Sequence, residues 1–84
     1  MLLIIRAKRE LQDSIQAAVF KLFDRKAILR VRNTTRERVE IIYEISSELL
    51  QYAERGKHGV CDAIYELGEI EYVNIVMQND EISG

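Results

Sequence analysis

Hydrophobic and polar positions change period several times along the chain, and each change marks an element. Leu2-Leu3-Ile4-Ile5 is an unbroken apolar run, the pattern of a short strand buried on both faces. From Glu10 the spacing becomes helical. Leu11, Ile15, Ala18, Val19, Leu22 and Phe23 share one side of the wheel, with Gln12, Asp13, Gln16, Lys21 and Asp24 elsewhere. This predicts an amphipathic helix over residues 8–24, with no strong N-cap residue to fix its start. Lys26 to Arg32 then alternates: Ala27, Leu29 and Val31 take one face, Lys26, Ile28, Arg30 and Arg32 the other. After the turn signal Asn33-Thr34-Thr35, Val39, Ile41, Tyr43 and Ile45 alternate with Arg38, Glu40, Ile42, Glu44 and Ser46. Two alternating runs around a short polar break predict a β-hairpin.

The register of that hairpin follows from parity. Residues opposed across it share a face, so unbroken alternation requires their numbers to sum to an even value. A sum of 70 opposes Arg30 to Glu40, Lys26 to Glu44 and Ile28 to Ile42 on one face. It opposes Val31 to Val39, Leu29 to Ile41 and Ala27 to Tyr43 on the other. Matched pairs of this kind contribute about 0.2–1 kcal/mol each. A sum of 72 sets Ile28 against Glu44 and is disfavoured.

Ser46 to Lys57 reads two ways. Ser46-Ser47-Glu48 can cap a helix containing Leu49, Leu50 and Ala53, or the strand can run on to Leu50. Beyond Gly56 and Gly59, Val60, Ala63, Ile64 and Leu67 return to helical spacing, and Gly68 is placed to end that helix. Ile70 to Gln78 is the last strand, with Val73, Ile75 and Met77 on one face and Tyr72, Asn74 and Val76 on the other. The order strand, helix, strand, strand, helix, strand predicts an α+β fold. It is a ferredoxin-like βαββαβ sandwich: a four-stranded antiparallel sheet with both helices on one face, in a single domain over residues 1–84.

Size and composition narrow the function classes. Eighty-four residues, 48% hydrophobic and 31% charged, make one small core with little room for an enclosed active site. The single Cys61 excludes an internal disulfide framework or a multi-cysteine metal site within one chain, and fits a reducing compartment. The longest apolar run is too short to span a bilayer or form a signal-peptide core. The net charge of −2 hides a division. Residues 1–38 hold ten Lys and Arg against four Asp and Glu, and residues 39–84 hold two against ten. Two halves of one sheet that neutralise each other account for this more simply than a basic arm for nucleic acid or membrane.

The candidate chemistry is sparse. His58 and Cys61 have a spacing that can share a metal, but zinc needs three or four protein ligands; a helix-start histidine and a buried thiol are the plainer reading. Nor is a third group present to make them a nucleophile and base. Glu66, Glu69 and Glu71 read as a solvated acidic face. Arg30, Arg32, Arg36 and Arg38 crowd the hairpin, yet the outward positions of the hairpin strands carry no aromatic ring to stack on a base, and the pI is 5.4. No nucleic acid is therefore expected as a partner. Arg6, Lys8 and Arg9, between the first strand and first helix, could hold an anion at a helix N-terminus. Neither a catalytic residue nor a cofactor is expected. The strongest lead is the open sheet face. Ile28 and Ile42 should lie there side by side, rimmed by Arg30 and Glu40, and a contiguous apolar patch marks an interface.

The strand order resembles ACT-type regulatory domains. The segments Val39-Glu40-Ile41-Ile42-Tyr43-Glu44 and Ile70-Glu71-Tyr72-Val73-Asn74-Ile75-Val76 are more specifically similar to the C-terminal cytosolic domain of small bacterial multi-spanning membrane proteins of unassigned function. Magnesium-transport-associated membrane proteins carry a similar ACT-like tail. The resemblance implies a cytosolic regulatory or assembly module of a membrane protein, with the membrane-spanning part as a partner; the open sheet face separately predicts a homo-oligomer. It carries over no ligand residues, because the chain has no glycine before Gly56 to bring backbone close to an amino acid. The expected function is non-enzymatic self-association. An anion or small-ligand sensor and a nucleic-acid module are the alternatives.

Overall fold

A computed structural model describes residues 1–55 and 59–77. Strand β1 spans Leu2–Lys8 and leads through a 3-10 turn, Arg9–Leu11, into helix α1, Gln12–Leu22. The hairpin follows as β2, Ile28–Thr34, and β3, Arg38–Glu44. Helices α2, Ser47–Ala53, and α3, Val60–Tyr65, precede β4, Ile70–Val76. The fold is α+β, with one antiparallel sheet in the order β2-β3-β1-β4. Among the described residues there are three α-helices where the sequence pattern indicates two. The ambiguous stretch resolves as helix because Ser46 caps it: its Oγ accepts the Leu49 N–H at 3.1 Å. Helix α3 has no side-chain cap from Gly59. Glu54 substitutes, its carboxylate accepting the Val60 N–H at 3.4 Å.

The core is a single layer between helices and sheet. Leu3, Ile5 and Ala7 of β1 and Val39, Ile41 and Tyr43 of β3 are buried against Ile15, Val19 and Phe23 of the α1 segment. Ala53, Val60 and Ile64 of α2 and α3 complete the cluster. The expectation that β1 is buried on both faces is corrected: Leu2 and Ile4, on the other face, are only half-buried. The smallest extent of the molecule is 19 Å. That matches one helix layer on one sheet, since packed layers lie about 10 Å apart, and among the described residues no element covers the opposite sheet face.

The hairpin register differs from the parity argument. Ile28 opposes Glu44 and Leu29 opposes Tyr43, a sum of 72; Val31 opposes Ile42 and Arg32 opposes Ile41, a sum of 73. Arg30 is the extra residue between them, a β-bulge. The pairs Arg30–Glu40 and Ile28–Ile42 do not form. The physical reason lies in the turn. Thr35 donates its N–H to the Arg38 carbonyl at 2.8 Å and accepts the Arg38 N–H on Oγ1 at 3.0 Å, closing a two-residue turn at Arg36–Glu37. A two-residue turn imposes the odd sum beyond Arg30, and the even sum holds before it, where Ala27 packs against the core just ahead of the strand. The bulge reconciles them, and beyond it the faces invert: Val31 goes to the open face and Arg32 to the helix face, alongside Ile41. A second bulge places Glu71 between Tyr72, opposite Arg6, and Ile70, opposite Ala7. Both bulges sit on edge strands, where they blunt edge-to-edge pairing.

Helix α1 ends through Asp24 and Arg25, both left-handed (φ 50° and 65°), with the Arg25 N–H donating to the Phe20 carbonyl at 2.9 Å. Gly68, two residues past the C-cap of α3, has φ +148°. A Cβ there would lie 3.2 Å from Leu11 Cδ1, so glycine lets the chain cross the 3-10 turn closely.

Candidate functional site

The open face is built in rows by the paired registers. Val31, Ile42, Ile4 and Asn74 form the middle row. Ile28, Glu44, Leu2 and Val76 form the row toward one end, and Asn33, Glu40, Arg6 and Tyr72 the row toward the other. Lys8 and Arg38 follow. One half of the face is therefore aliphatic and the other charged. Ile28 and Ile42 do share this face but lie in adjacent rows; Val31, Ile4, Leu2 and Val76 complete the patch. The sequence pattern set Val31 opposite Val39 on the other face, and only the bulge moves it here.

The charged half is a network. Glu71 bridges Arg6 Nε at 3.4 Å and Arg38 Nε at 3.1 Å; Lys8 Nζ meets Glu69 at 3.0 Å; Tyr72 Oη donates to Glu40 at 3.2 Å. At the aliphatic end Arg30 pairs with Glu44 at 2.6 Å. Each of these four ion pairs joins the basic first half of the sequence to the acidic second half, as the charge division indicates. Both bulge residues, Arg30 and Glu71, are members.

The three proposed anion ligands part company. Arg6 and Lys8 project from β1 into the network and are paired. Arg9 lies in the 3-10 turn, its N–H donating to the Glu37 carbonyl at 3.0 Å. Its side chain lines a 590 Å³ surface cleft with Arg32, Arg36, Gln12, Glu10 and Asp13. Arg32 and Thr34 reach this cleft because of the bulge, and Thr34 Oγ1 bonds Gln12 Oε1 at 3.1 Å. A period-2 reading cannot find this cluster, since it assigns Arg32 to the opposite face.

Burial raises the pKa of Tyr43, opposed in part by the Arg32 guanidinium. Burial, then Glu54 and Asp62, raise that of Cys61. Cys61 is half-buried rather than largely buried as expected. His58, its proposed metal partner, lies outside the described residues. No helix among the described residues is long and apolar enough to cross a membrane. No protein-family model matches the chain, and neither curated proteins nor solved structures give a significant match.

Proposed function

We propose that the chain is a non-enzymatic regulatory or assembly domain with a ferredoxin-like sandwich, and that it self-associates through its open sheet face. The observation that carries this reading is the mainly aliphatic half-face of Leu2, Ile4, Ile28, Val31, Ile42 and Val76, which also holds Glu44 paired with Arg30, meets the charged network at its other end, and is covered by no element among the described residues. Central strands β1 and β3, with β2 and β4 outside, support the ferredoxin-like reading; the division of the second helical segment into α2 and α3 is its departure. The assembly served is a membrane protein whose cytosolic side bears the domain, as the sequence resemblance implies.

A second copy fits the face because its rim is self-complementary: each chain brings both Arg and Glu to it. Four strands of seven residues cover roughly 20 Å by 23 Å, less than the ~800 Å² per partner of a standard interface, so the association is weak and two-fold. Replacing Ile42 with Lys sets an ammonium in the middle row. It should leave the monomer folded, because Ile42 faces away from the helices, and abolish the dimer. Sedimentation equilibrium decides; a monodisperse monomer at high micromolar concentration for the unaltered chain refutes the reading.

A second reading, a small-anion sensor, is favoured by the cleft of Arg9, Arg32 and Arg36. Thermal unfolding with inorganic phosphate or pyrophosphate tests it, since a ligand at 100 times its Kd adds about 2.7 kcal/mol.

A further inference from the structure

A groove lies on the helix side of the sheet, between α1 and edge strand β2, away from the open face. The helix supplies Gln12, Gln16 and Phe20 to it, each one turn after the last and about 6 Å further on. The strand supplies Leu29 before the bulge and Arg32 after it. These oppose Tyr43 and Ile41, two residues apart on β3, so about 7 Å along the strand separates them. The two ends of the groove differ in chemistry. Toward Phe20 it is a 170 Å³ hollow walled by Val19, Phe20, Ala27 and Leu29. Its polar groups are Gln16, Arg25 and Tyr43, and none of the described carboxylates lines it. Toward the 3-10 turn it is the cleft of Arg9, Arg32 and Arg36. The ends meet at Arg32, whose charge reaches the Tyr43 phenol in the wall of the hollow.

We infer that the α1–β2 groove binds a soluble organic phosphate monoester of medium length, its head on Arg9, Arg32 and Arg36 and its apolar body beside Phe20, Ala27 and Leu29. This rests on the reading of the arginine cleft as an anion site and names the class of ligand. Charge selects the head. Arg6, Lys8, Arg30 and Arg38 are each paired with a carboxylate, whereas Arg9, Arg32 and Arg36 form no ion pair among the described residues. Glu10 and Asp13 also line the cleft, and three guanidinium groups against these two carboxylates leave it net positive. Arg25, over the Phe20 ring at 5.7 Å, adds a cation at the far end. A phosphate monoester carries about −1.5 to −2 at neutral pH and has acceptor oxygens that several guanidinium groups can share. Exposure selects the body: Phe20 and Leu29 leave apolar surface in water directly beside those charges. Gln12 to Phe20 spans two helical turns, about 12 Å, which is the reach of a hexyl chain with its phosphate head.

The test is titration of isotope-labelled protein with inorganic phosphate, hexyl phosphate and hexanol, followed by amide chemical shifts. Inorganic phosphate should shift Arg9, Arg32 and Arg36. Hexyl phosphate should shift these together with Gln16, Phe20, Leu29 and Tyr43. It should bind at least about tenfold more tightly than inorganic phosphate, since each buried methylene is worth about fourfold in Kd. Phe20 is 56% exposed, so Phe20→Ala should keep the fold, abolish the gain from the chain and leave the affinity for inorganic phosphate unchanged. Arg32→Gln should weaken both phosphates. Dispersed spectra report that each variant is folded, and the three-ligand comparison on the unaltered chain needs neither. Equal affinity for the two phosphates overturns the inference and leaves the anion reading standing. No binding of either at millimolar concentration overturns both. Equal affinity for hexanol and hexyl phosphate, or shifts confined to the open face, overturns the assigned head. Binding to phosphatidic acid vesicles, with no gain from the hexyl chain in solution, makes the partner a membrane surface and overturns the soluble ligand. Dimerisation through the open face is read separately by Ile42→Lys.

Discussion

Deleting Arg30 should barely destabilise the protein, although it removes a residue from the middle of a strand. In an ordinary ladder a one-residue deletion inverts every side chain beyond it. Here Arg30 is the extra residue, and its removal leaves Leu29 opposite Tyr43 and Val31 opposite Ile42 as consecutive pairs. Every remaining side chain keeps its face. The loss is the Arg30–Glu44 ion pair, whose side chains are 54% and 38% exposed. Solvent screening limits such a pair to about 0.2–1 kcal/mol. The recovered regular ladder offsets part of this. For a domain of this size 1 kcal/mol is about 4–8 °C in Tm, so the variant should melt within that interval of the parent. Deleting the buried Ile41 from central strand β3 is the contrast. It forces Glu40 or Ile42 toward the helices and breaks pairing on both sides, and should leave no cooperative transition. Thermal unfolding by circular dichroism measures both, and cross-strand nuclear Overhauser contacts between Val31 and Ile42 report the register. A loss above about 3 kcal/mol for the Arg30 deletion, or contacts from Val31 to Ile41, would refute the bulge as the device that joins the turn to the strand.

Gly68→Ala should cost about 1–3 kcal/mol, because its φ is left-handed and its Cβ crowds Leu11; urea denaturation checks it, and an unchanged midpoint would mean the turn relaxes freely. The raised pKa values of Tyr43 and Cys61 both favour the protonated, neutral forms in the folded chain. Their contribution to stability is complete below the unfolded-state values and is lost as pH rises through the folded ones. The midpoint of unfolding should therefore hold through neutral pH, begin to fall above about pH 8.5 as the unfolded thiol ionises, and fall further above about pH 10 as the unfolded phenol does. Alkylation of Cys61 near pH 8 should also run slower in the folded than in the unfolded chain, and equal rates would contradict the raised value.

Periodicity by itself determined the four strands, helices α1 and α3, and the core face of β3, but not helix α2 or which face of β1 is buried. Val39, Ile41 and Tyr43 are buried together because alternation gives β3 one apolar face, whereas the unbroken apolar run of β1 leaves the burial of Leu3 and Ile5 over Leu2 and Ile4 to the fold. The helical spacing of Ile15, Val19 and Phe23 likewise selects its own buried stripe. The charge division along the chain foretold ion pairs between its halves, because sheet pairing brings them side by side. What the sequence could not carry is the register of the edges. Edge strand β2 is exposed on most positions, so little burial energy opposes a slip of one residue, and a two-residue turn closed by Thr35 decides the outcome. That choice inserts the bulge, sends Val31 to the open face and brings Arg32 round to Arg9 and Arg36. The candidate sites depend on it throughout. Val31 on the open face and Arg32 in the arginine cleft are both consequences of where one extra residue was accommodated. Such accommodation is a balance between the turn at one end of the strand and the core packing at the other, and only the tertiary structure strikes it.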